Sequence, residues 1–240
     1  MKIHVYETPE LVAQAAASII AAEILDKPNL VLGLPTGSSP ILTYRELIRM
    51  NKAGLIDFSQ VVTYNLDEYV GLDGSHPQSY RYFMNENLFN HVNIKHENTH
   101  VPCGIGDMPE NARAYESAID AAGGIDMQLM GIGRNGHIGF NEPAEAFTDT
   151  TGIIKLTPST IEANTRFFDC ADDVPREAIS MGVGTIMRAR KLLLIATGDK
   201  KRDAIHDMLH GDVSPKHPAS VLRLHRDAVV LLDKDAAAGI

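Results

Sequence analysis

Short apolar runs alternate with helix-forming segments along the whole chain, and this alternation limits the fold more than any single motif. The runs at 2–5, 29–33, 61–66, 126–131, 191–197 and 228–233 read as strands. Between them lie helical patterns at 9–25, 40–50, 79–89, 109–122, 185–190 and 200–209. Pro9 and Pro40 suit a first helical turn, and Ser39 and Ser79 stand where N-caps belong. A strand–helix repeat of this kind predicts an α/β fold: an open, mostly parallel, twisted sheet with helices on both faces, of the Rossmann-like type. Such sheets bind ligands at the carboxyl ends of their strands, near a switch in strand order. No internal repeat or long linker divides the 240 residues, so a single domain over 1–240 is expected, with a segment of mixed polarity at 148–180.

The most unusual stretch follows the run at 126–131. It reads Gly131-Ile132-Gly133-Arg134-Asn135-Gly136-His137-Ile138-Gly139-Phe140-Asn141-Glu142-Pro143, too rich in glycine to continue a strand or to start an ordinary helix. Glycines at this density let the backbone turn tightly and let a ligand approach it. One curled loop presents both His137 and Glu142, an acid/base layout at a strand end. The glycine spacing resembles a dinucleotide fingerprint, but no helical apolar pattern follows, which argues against a nicotinamide site.

Three other junctions carry polar residues after a strand. At Thr36-Gly37-Ser38-Ser39-Pro40 the amides at a helix start make a nest for a phosphate, or an ordinary capped connection. The P-loop spacing and its lysine are absent. At Gly198-Asp199-Lys200-Lys201-Arg202 cations sit at a helix N-terminus, against its dipole, which points either to an anionic ligand or to a solvated cluster. Asp67-Glu68-Tyr69 ends the third apolar run, where a partly desolvated carboxylate carries protons or caps a turn. Strand alternation sends Asp67 and Glu68 to opposite sides. Arg166 fits a cleft or the surface equally well.

Composition excludes several classes. A net charge of −9 without a basic tract argues against nucleic acid or an anionic membrane as partner. It also means that an anionic substrate must be held by local amides and a few placed cations. No apolar run approaches the ~20 residues of a membrane span, and the N-terminus lacks a signal-peptide pattern. Cys103 and Cys170 form neither a disulfide framework nor a CxxC site, and the 10 histidines show no metal-ligand spacing. The expected setting is the cytoplasm, with no metal and no cofactor.

Taken together, three separated motifs resemble the glucosamine-6-phosphate deaminase (glucosamine-6-phosphate isomerase) family, within the wider group that includes 6-phosphogluconolactonases. They are residues 32–40, Asn65-Leu66-Asp67-Glu68-Tyr69-Val70-Gly71-Leu72, and 133–143. The segments His76-Pro77-Gln78-Ser79-Tyr80 and Asn164-Thr165-Arg166-Phe167-Phe168 agree with them in order and spacing. The resemblance covers nearly the whole chain and corresponds to a short bacterial-type member. It implies reversible conversion of glucosamine 6-phosphate and water to fructose 6-phosphate and ammonium, in amino-sugar catabolism, without a cofactor. His137 then opens the sugar ring, with Glu142 orienting and charge-stabilising it, and Asp67 moves a proton from C2 to C1. Thr36, Gly37, Ser38, Arg166 and Lys201 correspond to the family's phosphate contacts, and the segment around Arg166 to its mobile lid.

Two departures are visible. Asn135 stands where some family members have Asp, so it orients His137 by hydrogen bonding without adding charge. The chain also stops at Ile240, short of an extension tied in longer members to hexamer assembly and activation by N-acetylglucosamine 6-phosphate. A monomer therefore fits the chain, with a homo-oligomer as the alternative. The alternatives are a sugar-phosphate lactonase of the same fold, which needs no base for a C–H proton, and a non-catalytic sugar-phosphate sensor.

Overall fold

The structure, a computed structural model, describes residues 1–165, 168 and 173–240; of Ser159, Ala163 and Asn164 it describes the backbone only. In chain order the elements are β1 (Lys2–Tyr6), α1 (Pro9–Asp26), β2 (Val31–Leu34), α2 (Ile41–Lys52), β3 (Val62–Asn65), β4 (Asp67–Tyr69), α3 (Tyr80–Asn87), β5 (Thr99–His100), α4 (Met108–Ala121), β6 (Met127–Met130), β7 (Gly152–Lys155), α5 (Pro158–Thr165), β8 (Glu177–Ser180), α6 (Val183–Met187), β9 (Lys191–Ala196), α7 (Arg202–His210) and β10 (Ala228–Asp233). Single 3-10 turns, Asp199–Lys201 and Pro218–Leu224 among them, join some of these.

Seven strands form one parallel sheet in the order β1-β10-β9-β6-β2-β3-β5. The middle strands β2, β6, β9 and β10 are apolar and buried on both sides because helices cover both, whereas the edge strands β1, largely exposed, and β5, a Thr-His pair, are not. On β9, Leu192, Leu194 and Ala196 join the cluster under α4, α6 and α7, while Leu193 and Ile195 join the one under α1, α2 and α3. Each fully buried aliphatic side chain contributes about 1.5–3 kcal/mol relative to exposure. Among the described residues no helix is long and apolar enough to cross a membrane.

From β2 the chain steps outward to β3 and β5, then returns to the other side of β2 as β6 and continues to β9 and β10. The direction of winding therefore reverses between β2 and β6, where parallel α/β sheets open a crevice. The loops after β9, β6, β2 and β3 emerge side by side at this rim, so the four junctions singled out in the sequence share one edge.

Three local expectations change. The third apolar run does not continue through Asp67. β3 ends at Asn65, and β4 leaves the large sheet to pair antiparallel with β8, which in turn pairs with β7. Ser39 does not cap α2. Pro40 holds the N-cap position without a side-chain bond, whereas Ser79 does cap α3 by accepting from the Tyr82 amide at 3.1 Å. Finally, the ends of the segment 148–180 are ordered sheet. Arg166, at the centre of the segment read as the lid, lies outside the described residues.

Candidate active site

The loop after β6 is curled by its own hydrogen bonds. The Gly133 amide donates to the His137 carbonyl at 2.8 Å, and the Gly136 amide to the Gly133 carbonyl at 3.1 Å. The His137 ring lies directly over Gly133, where a Cβ would fall 2.2 Å from Cε1. Only glycine allows that approach.

Asn135 links the two functional groups of this loop. Its Nδ2 donates to Glu142 Oε2 at 2.6 Å, which leaves its Oδ1 to accept from His137 Nδ1 at 2.7 Å. This network places the ring proton on Nδ1 and leaves Nε2 as the free base. Glu142 Oε2 also faces Nδ1, but at 3.5 Å. Glu142 thus meets His137 most closely through Asn135, and also through its charge. The remaining carboxylate oxygen, Oε1, accepts from the Thr160 hydroxyl of α5, with Thr157 Oγ1 behind it at 3.4 Å. Burial alone would raise the Glu142 carboxyl. The hydrogen bond and charge of His137, with Thr160 and Asn135, outweigh it and bring the group down to about 2. It is a fixed negative charge.

Asp67 faces this loop from β4. A Cβ on Gly139 would lie 3.4 Å from its Oδ2, and its residue is only 6% exposed. Among the described residues no hydrogen bond relieves the carboxylate. Burial first, and then the neighbouring charge of Glu68, push it up to about 8. It is a carboxyl that exchanges its proton near neutral pH. Glu68 points the other way, into the backbone, as strand alternation requires: Oε1 accepts from the amides of Tyr69 (2.9 Å) and Tyr80 (2.8 Å), and Oε2 from that of Arg81 (2.9 Å). Asp67 is therefore the member of the pair left to face the site. Tyr69, Tyr80 and Phe140 pack into an apolar wall beside it, with ring centroids 4.8 to 6.0 Å apart.

The phosphate candidates lie on the adjoining loops. Gly37 adopts a φ of +85°, a left-handed turn that suits glycine. Thr36 and Gly37 are half-buried and Ser38 is exposed, ahead of the uncapped start of α2. The loop is pinned from below by the buried Tyr44, whose hydroxyl donates to the Pro35 carbonyl at 2.5 Å. Of the cationic run after β9, Lys201 turns toward the site, with Nζ donating to the Ile132 carbonyl at 2.5 Å, whereas Arg202 pairs with Asp203 on the surface. The turn carrying Lys201 is held by Asp233 at the end of β10, whose two oxygens accept the Gly198 amide at 3.0 and 2.9 Å. Thr157, Thr160, Asp233 and the amide clamp of Glu68 have no signature in the sequence, since each acts on a residue distant in the chain or through backbone. Among the described residues no three metal-ligating side chains converge.

A histidine anchored by Asn135, a buried carboxyl of raised pKa and the glycine turn ahead of α2 thus lie at one switch point. The family model for glucosamine-6-phosphate isomerases and 6-phosphogluconolactonase matches residues 7–231, and the chain belongs to that family. It is 52% identical over 238 residues to the glucosamine-6-phosphate deaminase of Thermoanaerobacter sp. (strain X514), covering 99% of this chain and 94% of that one. Its structure matches that of a monomeric glucosamine-6-phosphate deaminase with a TM-score of 0.97 at 42% identity, over 100% of both chains. The 6-phosphogluconolactonase of Leishmania guyanensis shares the fold, with a TM-score of 0.77 at 20% identity over 100% of this chain and 98% of that one.

Proposed function

We propose that the chain is a glucosamine-6-phosphate deaminase whose two proton-handling groups are His137 and Asp67. The observation that carries this reading is an imidazole held at Nδ1 by Asn135 on the same strand rim as a buried carboxyl tuned to about 8. A lactonase needs no second base for a C–H proton, so Asp67 is the residue that separates the two activities.

In this reading the 6-phosphate rests on the Thr36, Gly37 and Ser38 nest, with Lys201 and Arg166 as its cations. His137 Nε2 takes the proton of the anomeric hydroxyl and returns it to the ring oxygen, opening the sugar. The fixed charge of Glu142, relayed by Asn135, stabilises the imidazolium in between. Asp67, ionised, removes the proton from C2 and delivers it to C1, so that an enolamine becomes a C2 iminium. Water adds at C2, the nitrogen takes up the protons released, and ammonia leaves to give fructose 6-phosphate. Helix α5, tied to Glu142 through Thr160, borders the part read as the lid. We place this activity in the cytoplasm and read the chain as a monomer, like the relative of 42% identity.

The test is direct: release of ammonia from glucosamine 6-phosphate, with hydrolysis of 6-phosphogluconolactone measured beside it. Ammonia release without lactone hydrolysis is expected. Lactone hydrolysis without ammonia overturns the assignment.

A further inference from the structure

Glu68 is a buried titratable group that this mechanism leaves without a task. It is 2% exposed, directly beside Asp67 in β4. Two buried carboxylates in succession are electrostatically unfavourable, so the second one raises the proton affinity of the first. The nearest cation does not cancel the charge by pairing. Arg81 gives Glu68 its backbone amide but turns its guanidinium away, Nη1 to Thr99 Oγ1 at 2.7 Å and Nη2 to the Thr99 carbonyl at 2.8 Å. Both Glu68 oxygens are instead filled by amides, and two of the three belong to the first turn of α3, at the positive end of its dipole.

We propose that Glu68 is a positioning residue of the reaction: it ties the strand carrying Asp67 to the N-terminus of α3 and places a negative charge behind the proton carrier. The proposal rests on Asp67 being that carrier. A carboxylate suits the place for a stated reason. It accepts three amides with two oxygens and brings no donor of its own, whereas the Nε2 of a glutamine would meet the amide of Arg81 or of its neighbours donor to donor. The same charge then acts on Asp67 through protein of low polarity and makes it a stronger base than a lone buried aspartate. Burial also raises the Glu68 carboxyl, against the pull of its three amides and Arg81. The other titratable groups facing the pair are Tyr69 on β4, Tyr80 on α3 and Tyr115 on α4, all pushed upward by burial and so neutral at the working pH. From β8 and the His137 loop come Ser180 and Gly139, which carry no charge.

The experiment is the pH profile of kcat/KM for Glu68→Gln and Glu68→Asp, each checked for folding by circular dichroism. Removal of the charge in Glu68→Gln is expected to move the acid limb down by about one pH unit or more, with some loss of kcat. Glu68→Asp keeps the charge but falls short of α3, so kcat is expected to drop while the acid limb stays within a few tenths of a unit. A lower kcat in Glu68→Gln with an unmoved acid limb overturns the proposal and leaves Glu68 a backbone stitch. Should Glu68→Gln not fold, an acid limb that moves down in Glu68→Asp overturns it equally. Asp67→Asn, run alongside, separates the two claims: wild-type turnover in that variant overturns the role of Asp67 itself.

Discussion

Two carboxylates lie at the same strand rim on two neighbouring elements, and their environments could hardly differ more. Glu142, in the loop after β6, has both oxygens filled, by Asn135 and Thr160, and looks toward an imidazole; it is held down to about 2. Asp67, in β4, is buried still more deeply, has no donor among the described residues, and sits beside a second carboxylate; it is pushed up to about 8. Burial raises both. Hydrogen bonds and the sign of the neighbouring charge decide the outcome, which leaves one group as permanent charge and the other as a proton carrier. A site that must open a ring and then move a carbon-bound proton uses one of each.

The comparison breaks first at Asp67→Asn, which removes the carrier. Turnover is expected to fall by roughly 10²–10⁴-fold at every pH, measured by ammonia release. The stability change runs the opposite way to the activity change. A carboxyl whose pKa is raised in the folded state contributes stability that is present below its unfolded value and lost as pH rises through about 8. Asp67→Asn should therefore melt at a higher temperature than the wild type at pH 9, where the wild type buries an unpaired charge. Glu142→Gln comes next, with a loss of activity on the order of 10²-fold. Here stability should fall too, because a depressed carboxyl contributes stability above its unfolded value that disappears only as pH drops through about 2. Opposite signs for the two melting shifts at alkaline pH are the sharpest statement of the contrast.

Thr160→Val removes one donor to Glu142 without touching the histidine. A loss of about 1–2 kcal/mol in stability and less than tenfold in kcat is expected, read from denaturant unfolding and turnover. The smallest effect is the most specific one. Asn135→Asp adds a second carboxylate against His137 Nδ1 and should raise the imidazole, shifting the pH profile of turnover upward by about one unit or less. An unchanged profile would contradict the 2.7 Å contact.

Much of the fold was legible because the middle of the large parallel sheet is buried on both faces. Six of its seven strands read as apolar runs; β10 falls where the pattern puts it and the other five shift by only a few residues, whereas β5, the two polar residues Thr99 and His100 at the edge, has no apolar run to announce it. The smaller sheet was not. β7 and β8 are four residues each, and β7 alternates exposed and half-buried positions within a polar segment, so no apolar run announces it. The break between Asn65 and Asp67 is likewise invisible, because Leu66 keeps the apolar pattern running while the backbone changes sheets. In the site, the glycines and the spacing of Asn135, His137 and Glu142 mark the loop locally. That Thr160 completes Glu142 depends on a contact 18 positions apart, and that Glu68 is consumed by the amides of α3 on contacts up to 13 positions apart. Strand alternation did separate Asp67 from Glu68, and the amide clamp supplies the physical reason for which one faces the site.

The central claim is that Asp67 carries the proton from C2 to C1, and turnover of glucosamine 6-phosphate in deuterated water tests it most directly. The wild type is expected to release ammonia and to place deuterium at C1 of fructose 6-phosphate, and Asp67→Asn to lose both while remaining folded. An Asp67→Asn variant that still delivers deuterium to C1 at the wild-type rate would contradict the account.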